Sequence, residues 1–144
     1  MRSLAWLVLA FSGIASCSNG DRGRQVVHLA SSVAIPAEQW VEITAPEPLR
    51  TASYHHDVCF GVAIPYRLAD QPMGIVDRSG DPVAFKVEVV GDGVWVALPL
   101  LSYSDDDVCF GTTDEHAAQA FTHVRFYASA SMTIDHVLWR STDK

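Results

Sequence analysis

Histidine and acidic residues gather around two copies of the sequence DVCFG, at residues 57–61 and 107–111. The side chains with the chemistry to hold a metal or another ligand are His55, Asp57, Asp105, Asp107, Asp114 and His116. Carboxylate oxygens are the ligands that Ca²⁺ prefers, whereas histidine combined with carboxylate suits Zn²⁺. The chain has neither an HExxH motif nor the spacing of an EF-hand loop. We therefore consider calcium as the metal, with a solvated acidic turn before a strand as the simpler interpretation.

The same residues raise a second kind of chemistry, the hydrolysis of a glycosidic bond. That reaction needs two carboxylates about 5–9 Å apart on either side of a cleft, and Asp57 and Asp107 are the pair to consider. A serine hydrolase is not indicated, because the chain has no G-x-S-x-G motif. Chance carboxylate pairs are common in an acidic domain, so a small hydrolase is an alternative and not the first interpretation.

The N-terminal segment has the pattern of a bacterial secretion signal. Arg2 precedes an apolar run over residues 4–14, which is too short to cross roughly 30 Å of hydrocarbon. Residues 14–17 (IASC) resemble the lipobox of bacterial lipoproteins, which implies cleavage after residue 16 and a lipid on Cys17. Ser18, where an aspartate would favour the inner membrane, implies the outer membrane in a Gram-negative cell. The alternative is an ordinary signal peptide that ends in a chance cysteine.

The rest of the chain divides into a tether and one domain. Residues 18–24 are polar and rich in glycine, so we interpret residues 17–24 as a lipidated cysteine with a flexible tether, and residues 25–144 as one folded domain. Loss of residues 1–16 removes Arg2, so Lys+Arg falls from 10 to 9 against 17 acidic residues, a net charge of −8. This charge argues against nucleic acid as a partner. Attachment to the membrane would then depend on the acyl chains at Cys17.

If Cys17 carries lipid, Cys59 and Cys109 remain as an even pair in an oxidising compartment, which predicts a disulfide. Side chains alternate between the faces of a strand, so Val58 and Phe60 share one face while Asp57 and Cys59 share the other. Two strands of one sheet can bring the cysteines together on that second face. We predict an antiparallel pairing, because it places Asp57 opposite a glycine instead of opposite Asp107.

Short β-type segments separated by turn residues continue from residue 25 to the C-terminus. We predict strands at residues 25–30, 39–44, 54–64, 74–77, 83–90, 94–100, 107–111, 121–128 and 132–140. Residues 91–93 and 129–131 are predicted as the turns of two hairpins. Residues 113–121 are the most helix-like piece and are predicted to form a single turn. Eight or nine short strands in one domain indicate an all-β fold, an antiparallel sandwich or barrel.

The C-terminal segment, residues 121–143, carries a resemblance that narrows this choice. Its last strand has Ile134, Asp135, Val137 and Trp139 in an ID-x-[VI]-x-[WL] pattern after a strand with alternating aromatic residues. That arrangement is similar to the closing strands of galactose-binding-like β-sandwiches, a class that includes many carbohydrate-binding modules. The resemblance implies a jelly-roll β-sandwich. No sugar-binding or calcium-binding motif of that class occurs upstream.

Aromatic residues offer surfaces on which a sugar ring can stack. We interpret Trp139 and Trp95 as core residues, since the segment VWVAL around Trp95 is apolar on both faces, as in a buried strand. Tyr66 and Tyr103 lie beside turn residues and are the candidates for sugar stacking.

The sequence therefore predicts a lipoprotein of the bacterial cell envelope that acts as a binding or interaction module, with a glycan or an envelope protein as the partner. A small envelope hydrolase that uses the Asp/His cluster is one alternative. A structural or assembly lipoprotein without a small ligand is another.

Overall fold

A computed structural model describes residues 23–51, 55–70, 73–103, 107–113 and 119–142 of the chain. This part of the chain contains eleven strands and no helix. The strands are β1 (Arg24–Ile35), β2 (Trp40–Arg50), β3 (His55–Val62), β4 (Arg67–Asp70), β5 (Met73–Val76), β6 (Phe85–Val90), β7 (Trp95–Leu98), β8 (Leu100–Tyr103), β9 (Val108–Thr112), β10 (Ala120–Ala128) and β11 (Met132–Thr142). The all-β prediction is confirmed.

Two antiparallel sheets form a sandwich. The five-stranded sheet has the order β1-β11-β3-β9-β8, and the four-stranded sheet has the order β2-β10-β6-β7, while β4 and β5 form a separate ribbon. Four pairs of strands are nested along the chain, β1 with β11, β2 with β10, β3 with β9 and β6 with β7. Because the nested pairs alternate between the two sheets, the topology is that of a jelly roll, as predicted.

The described strands exceed the predicted eight or nine for identifiable reasons. The predicted strand 94–100 is divided at Pro99 into β7 and β8, which belong to different sheets. Proline lacks the N–H that a ladder needs, so the chain can change sheets there. The strand β4 was not predicted at all. The predicted helical turn at residues 113–121 includes residues 114–118, which lie outside the described part of the chain.

One of the two predicted hairpins is wrong. β6 and β7 do pair across residues 91–93. In contrast, β10 and β11 do not pair with each other across residues 129–131, because they belong to opposite sheets. The small residues at this position connect the two layers of the sandwich instead of two neighbouring strands.

The core fills the space between the two sheets. Phe60 is fully buried, with its ring 6.0 Å from the ring of Phe110 and 6.0 Å from that of Phe126. Trp139 is also fully buried, as predicted, and its ring stacks on the imidazole of His56 at 5.4 Å. Burial of side chains of this size removes apolar surface from water and is the main stabilising contribution.

A change of register in β11 decides which of its side chains reach the core. Ile134 faces the core, and the register shift between Asp135 and Leu138 contains His136, which has a φ of 52°. After this bulge the odd-numbered residues face inward, so Trp139 is buried and Arg140 lies on the outer face of the sheet.

Candidate functional site

The repeated DVCFG segments lie side by side in the five-stranded sheet. β3 and β9 pair antiparallel, with Cys59 directly opposite Cys109 and Asp57 opposite Gly111, as predicted. The two cysteines form a disulfide, and their Cα atoms lie 4.1 Å apart. The faces are also as predicted, because Val58 points into the core while Cys59 lies on the outer side with Asp57. The repeated sequence therefore forms one cross-strand disulfide unit.

Asp57 has no exposed surface and is held by two cationic or polar partners on the same outer face. Arg140, its cross-strand neighbour on β11, donates from Nε to Oδ1 and from Nη2 to Oδ2, both at 2.9 Å. The His55 ring nitrogen Nε2 lies 2.6 Å from Oδ2. A bidentate arginine–carboxylate pair of this kind satisfies a carboxylate that is out of contact with water.

Arg140 also contacts the disulfide. Its Nη2 lies 2.9 Å from Sγ of Cys59 and 3.4 Å from Sγ of Cys109. The hydrogen bond with Asp57 raises the pKa of Arg140; burial acts against this increase, and the charges of Asp57 and Asp107 add to it. The guanidinium is therefore a permanent positive charge beside both sulfur atoms.

Gly111 makes room for this cluster. A Cβ atom at this position would lie 2.2 Å from the carbonyl oxygen of His56 and 2.6 Å from Cα of Asp57. Both contacts are with atoms that cannot move without shifting β3. The glycine of the second DVCFG copy is thus needed for the close approach of the two strands next to Asp57.

The structure brings together His55 and Asp57, and it places Asp107 on the surface, where its charge acts on Arg140. The other three predicted ligands, Asp105, Asp114 and His116, lie outside the described residues. Both oxygens of Asp57 are occupied by neighbours, and the nearby sulfur atoms are bonded to each other, whereas metals bind thiolates. Asp57 has no surface open to a substrate, so these contacts do not support Asp57 and Asp107 as a catalytic pair.

The two tyrosines predicted to stack on sugars have different outcomes. Tyr66 is partly buried, packs against the core and donates its hydroxyl to the carbonyl oxygen of Ser131 at 2.7 Å. It borders an open hollow of about 460 Å³ at one end of the sandwich, together with the exposed Ile64. For Tyr103 only the backbone belongs to the described structure, in β8. Neither observation makes a flat, free aromatic surface.

A second hollow of about 230 Å³ lies near the edge strand β7. Its lining includes Leu98, Phe121 and His56. Of the described residues that the sequence marked as ligands, none lines it. It is apolar and narrow compared with typical sites for small molecules.

Aromatic and basic side chains form a row on the outer face of the four-stranded sheet. The guanidinium carbon of Arg125 lies 4.3 Å from the ring centre of Trp40 and 4.1 Å from that of Trp95. The ring of Tyr127 lies 5.4 Å from that of Trp40, and Nζ of Lys86 lies 5.2 Å from the centre of the Tyr127 ring. We call these five residues, from β2, β6, β7 and β10, the aromatic platform.

Arg125 is fixed within the aromatic platform by Glu88, which is its cross-strand neighbour on β6. Nε of Arg125 donates to Oε2 of Glu88 at 2.6 Å, and Nη2 contacts the same oxygen. The side chain of Arg125 remains 25% exposed and Trp40 remains 39% exposed. The platform is thus ordered by its own contacts and still open to solvent.

Sequence reasoning missed this platform, and the prediction that Trp95 is a core residue is wrong. Trp95 is partly exposed, and Val96 and Ala97 after it are exposed, because β7 is an edge strand and not a buried one. A usable signal exists in β10, where His123, Arg125 and Tyr127 alternate with the buried Val124 and Phe126. That alternation shows a polar and aromatic outer face, although it does not indicate which residues of other strands join it.

No protein-family model matches this chain, and no curated protein or solved structure matches it either. Among the described residues, no helix is long and apolar enough to span a membrane.

Proposed function

We propose that the protein is a lipoprotein of the bacterial cell envelope whose β-sandwich binds a glycan on the aromatic platform. The observation that carries this proposal is the stacking of Arg125 between Trp40 and Trp95 on an outer sheet face. The fully buried aromatic residues, such as Trp139 and Phe60, already fill the core. Trp40 lies outside this core and is 39% exposed, so a ligand can reach its ring.

The chemistry of the platform suits a sugar. Indole and phenol rings offer apolar faces on which the C–H groups of a pyranose ring pack, and arginine and lysine offer N–H donors for its hydroxyl groups. Trp40 and Trp95 both contact the guanidinium of Arg125, so two indole rings lie on the same face of the sheet. Tryptophan, tyrosine and arginine are also the residue types that dominate binding energy at interfaces.

The charges on this face favour an uncharged glycan. Arg125 and Lys86 are balanced by Glu88 and by Glu42, the cross-strand neighbour of Arg125 on β2. A polyanion would lose its hydration near two carboxylates without a net positive potential in return. Because Arg125 is already held by Glu88, binding also immobilises little additional side chain.

The proposal is tested by measuring glycan binding to the full chain in detergent. The probes are a soluble neutral β-linked glucan, a β-linked N-acetylhexosamine polymer and a uronate polymer. Calorimetry measures the affinity of the protein for each of them. Trp40→Ala and Trp95→Ala are each expected to weaken binding about tenfold or more. Ile64→Ala, a matched loss of an apolar side chain that is 91% exposed elsewhere, should leave the affinity unchanged. Binding that survives both tryptophan substitutions would exclude the platform as the site.

A protein partner is the second candidate, and a separate observation favours it. Val94, just before the edge strand β7, is 71% exposed, and Val96, within β7, is 43% exposed. An exposed apolar edge is suited to docking a protein, as in an assembly lipoprotein. Val94→Asp would then abolish complex formation in the envelope, detected by cross-linking, whereas a glycan on the platform would still bind.

The lipid anchor has its own experiment. Cys17→Ala is expected to abolish incorporation of a labelled fatty acid and to release the protein from membranes. Ser18→Ala, one residue later, should keep the label. Unchanged labelling in Cys17→Ala would refute lipidation at this residue and leave the glycan proposal to be judged separately.

A further inference from the structure

The outer face of the five-stranded sheet holds a second unit that the proposed glycan function does not use. Its centre is the Cys59–Cys109 disulfide, and its charged members are Arg140, Asp57 and His55. The cysteines are only 3% and 5% exposed, whereas the side chain of Arg140 is 42% exposed. A molecule that approaches the sulfur atoms from solvent therefore meets the guanidinium first.

We propose that the Cys59–Cys109 disulfide is a thiol–disulfide exchange site whose reduced form is stabilised in the folded protein by Arg140. Reduction turns a neutral disulfide into thiols, one of which ionises most readily where a positive charge is adjacent. The Nη2 atom of Arg140 lies within hydrogen-bond distance of both sulfur atoms. An arginine so placed favours the thiolate and therefore the reduced state.

The co-reactant is a dithiol. Its thiolate attacks one sulfur, the S–S bond breaks, and the other sulfur leaves as a thiolate with the bonding electron pair. The second thiol of the reductant then loses its proton and attacks the mixed disulfide, which releases the other protein sulfur as a thiolate. The two protein thiolates take up the two protons that the dithiol gives up, and one oxidised dithiol results. The leaving sulfur is the one that Arg140 stabilises better as a thiolate. Nη2 of Arg140 lies 2.9 Å from Sγ of Cys59 and 3.4 Å from Sγ of Cys109, so Cys59 is the leaving sulfur and Cys109 is the sulfur that is attacked.

Asp57 acts in the opposite direction. Its carboxylate, Cys59 and Cys109 have ligand atoms that all lie within 4.8 Å of one another, and a carboxylate at this distance disfavours a thiolate. His55, in contact with Asp57, screens that charge when it is protonated. The equilibrium between the disulfide and the reduced thiols therefore depends on two opposed charges. Removing the charge of Arg140 and removing the charge of Asp57 must shift this equilibrium in opposite directions.

The test measures the equilibrium between the full chain and mixtures of reduced and oxidised dithiothreitol at pH 7. Acid quenching, alkylation and mass spectrometry of the peptides that contain Cys59 and Cys109 keep Cys17 out of the measurement. Arg140→Gln is expected to raise the ratio of reduced to oxidised dithiothreitol needed for half reduction about tenfold, equivalent to about 30 mV. Asp57→Asn is expected to lower that ratio by a similar factor.

A control variant, a double variant and the position of a glutathione adduct test the proposal further. Arg50→Gln, an exposed arginine on the other sheet, should not change the ratio. The double variant Asp57→Asn/Arg140→Gln leaves no buried charge unpaired, and its ratio at half reduction should lie between those of the single variants. It replaces Arg140→Gln in the comparison with Asp57→Asn if Arg140→Gln does not fold. Glutathione should form its mixed disulfide mainly with Cys109. A shift of both single variants in the same direction, no shift in either, or addition mainly at Cys59 would overturn the proposal.

Discussion

Two arginines on opposite outer faces of the sandwich make the same kind of bond in different surroundings. Arg140 binds a carboxylate that has no exposed surface, whereas Arg125 binds Glu88, whose side chain is 19% exposed, and stacks on two tryptophans. The first pair closes a site beside a disulfide. The second pair builds a surface that remains open to solvent.

This difference separates residues that hold the fold from residues that are available to a ligand. A buried carboxylate strongly requires its partner, because an uncompensated charge inside the protein is costly. Glu88 keeps some contact with water, so the Arg125–Glu88 pair contributes less to stability and its geometry can serve recognition. Asp57, with its contact His55, belongs to the first class, and Trp40 and Trp95 belong to the second.

The largest effect is expected from the disulfide of the five-stranded sheet. Replacing Cys59 and Cys109 together by alanine should lower the free energy of unfolding by about 4 kcal/mol, the chain-entropy value for a loop of this length. Urea unfolding followed by circular dichroism measures the change, with the strand signal of the native state retained. Ser102→Ala, opposite Cys109 on β8, is the control and should be nearly neutral. Equal midpoints for the two variants would show that the disulfide adds no stability.

The second prediction contrasts the two arginines directly. Arg140→Ala should cost about 2–4 kcal/mol of stability, somewhat less than for a fully buried pair because its side chain is 42% exposed. Arg125→Ala should cost about 1 kcal/mol or less. Both values come from chemical denaturation under the same conditions. Similar losses in the two variants would remove the distinction between a closed and an open site.

A glycine substitution sharpens the comparison at the backbone. Gly111→Ala should destabilise the fold by about 1–3 kcal/mol, because the added Cβ overlaps the β3 backbone next to Asp57. Gly93→Asn, at a turn on the platform side where a Cβ has open space but φ is +78°, should cost only the backbone strain, about 1 kcal/mol or less for asparagine. Thermal unfolding of both variants provides the measurement, and a neutral Gly111→Ala would contradict the close packing described.

The smallest effect belongs to the aromatic platform. Trp40→Ala removes one cation–π contact with Arg125 from an exposed position and should cost about 0.5–1 kcal/mol. A decrease of several kcal/mol in the free energy of unfolding, measured with urea, would mean that Trp40 stabilises the fold and is not available to a ligand.

The disulfide unit was largely predictable from the sequence, since side-chain alternation along β3 and the avoidance of facing aspartates were enough to derive its register and faces. Its arginine was not. Without the bulge at His136, simple alternation from Ile134 would point Arg140 into the core, and no sequence pattern marks that bulge. A single extra residue therefore decided whether Asp57 had an arginine partner beside His55.

The aromatic platform was beyond prediction for a different reason. Its residues come from four strands, and their meeting depends on the order of those strands in the sheet. The apolar run around Trp95 resembles a buried strand, because the edge strand β7 carries apolar residues on both of its faces although one of these faces does not pack in the core. Similarly, the small residues at 129–131 suit a hairpin turn and a crossover between sheets equally well.

The antiparallel ladder between β1 and β11 sets Arg24 beside Thr142, and it sets Ile35 beside Met132 at the far end of the sandwich. A support attached before residue 24 or after residue 142 would therefore hold the domain at the same pole and present the same opposite pole, with Ile64 and Tyr66, to the surroundings. Arg24 and Thr142 are also close enough for a short peptide to join them. A circular permutant joined there and opened at an exposed loop should keep both outer faces of the sandwich intact.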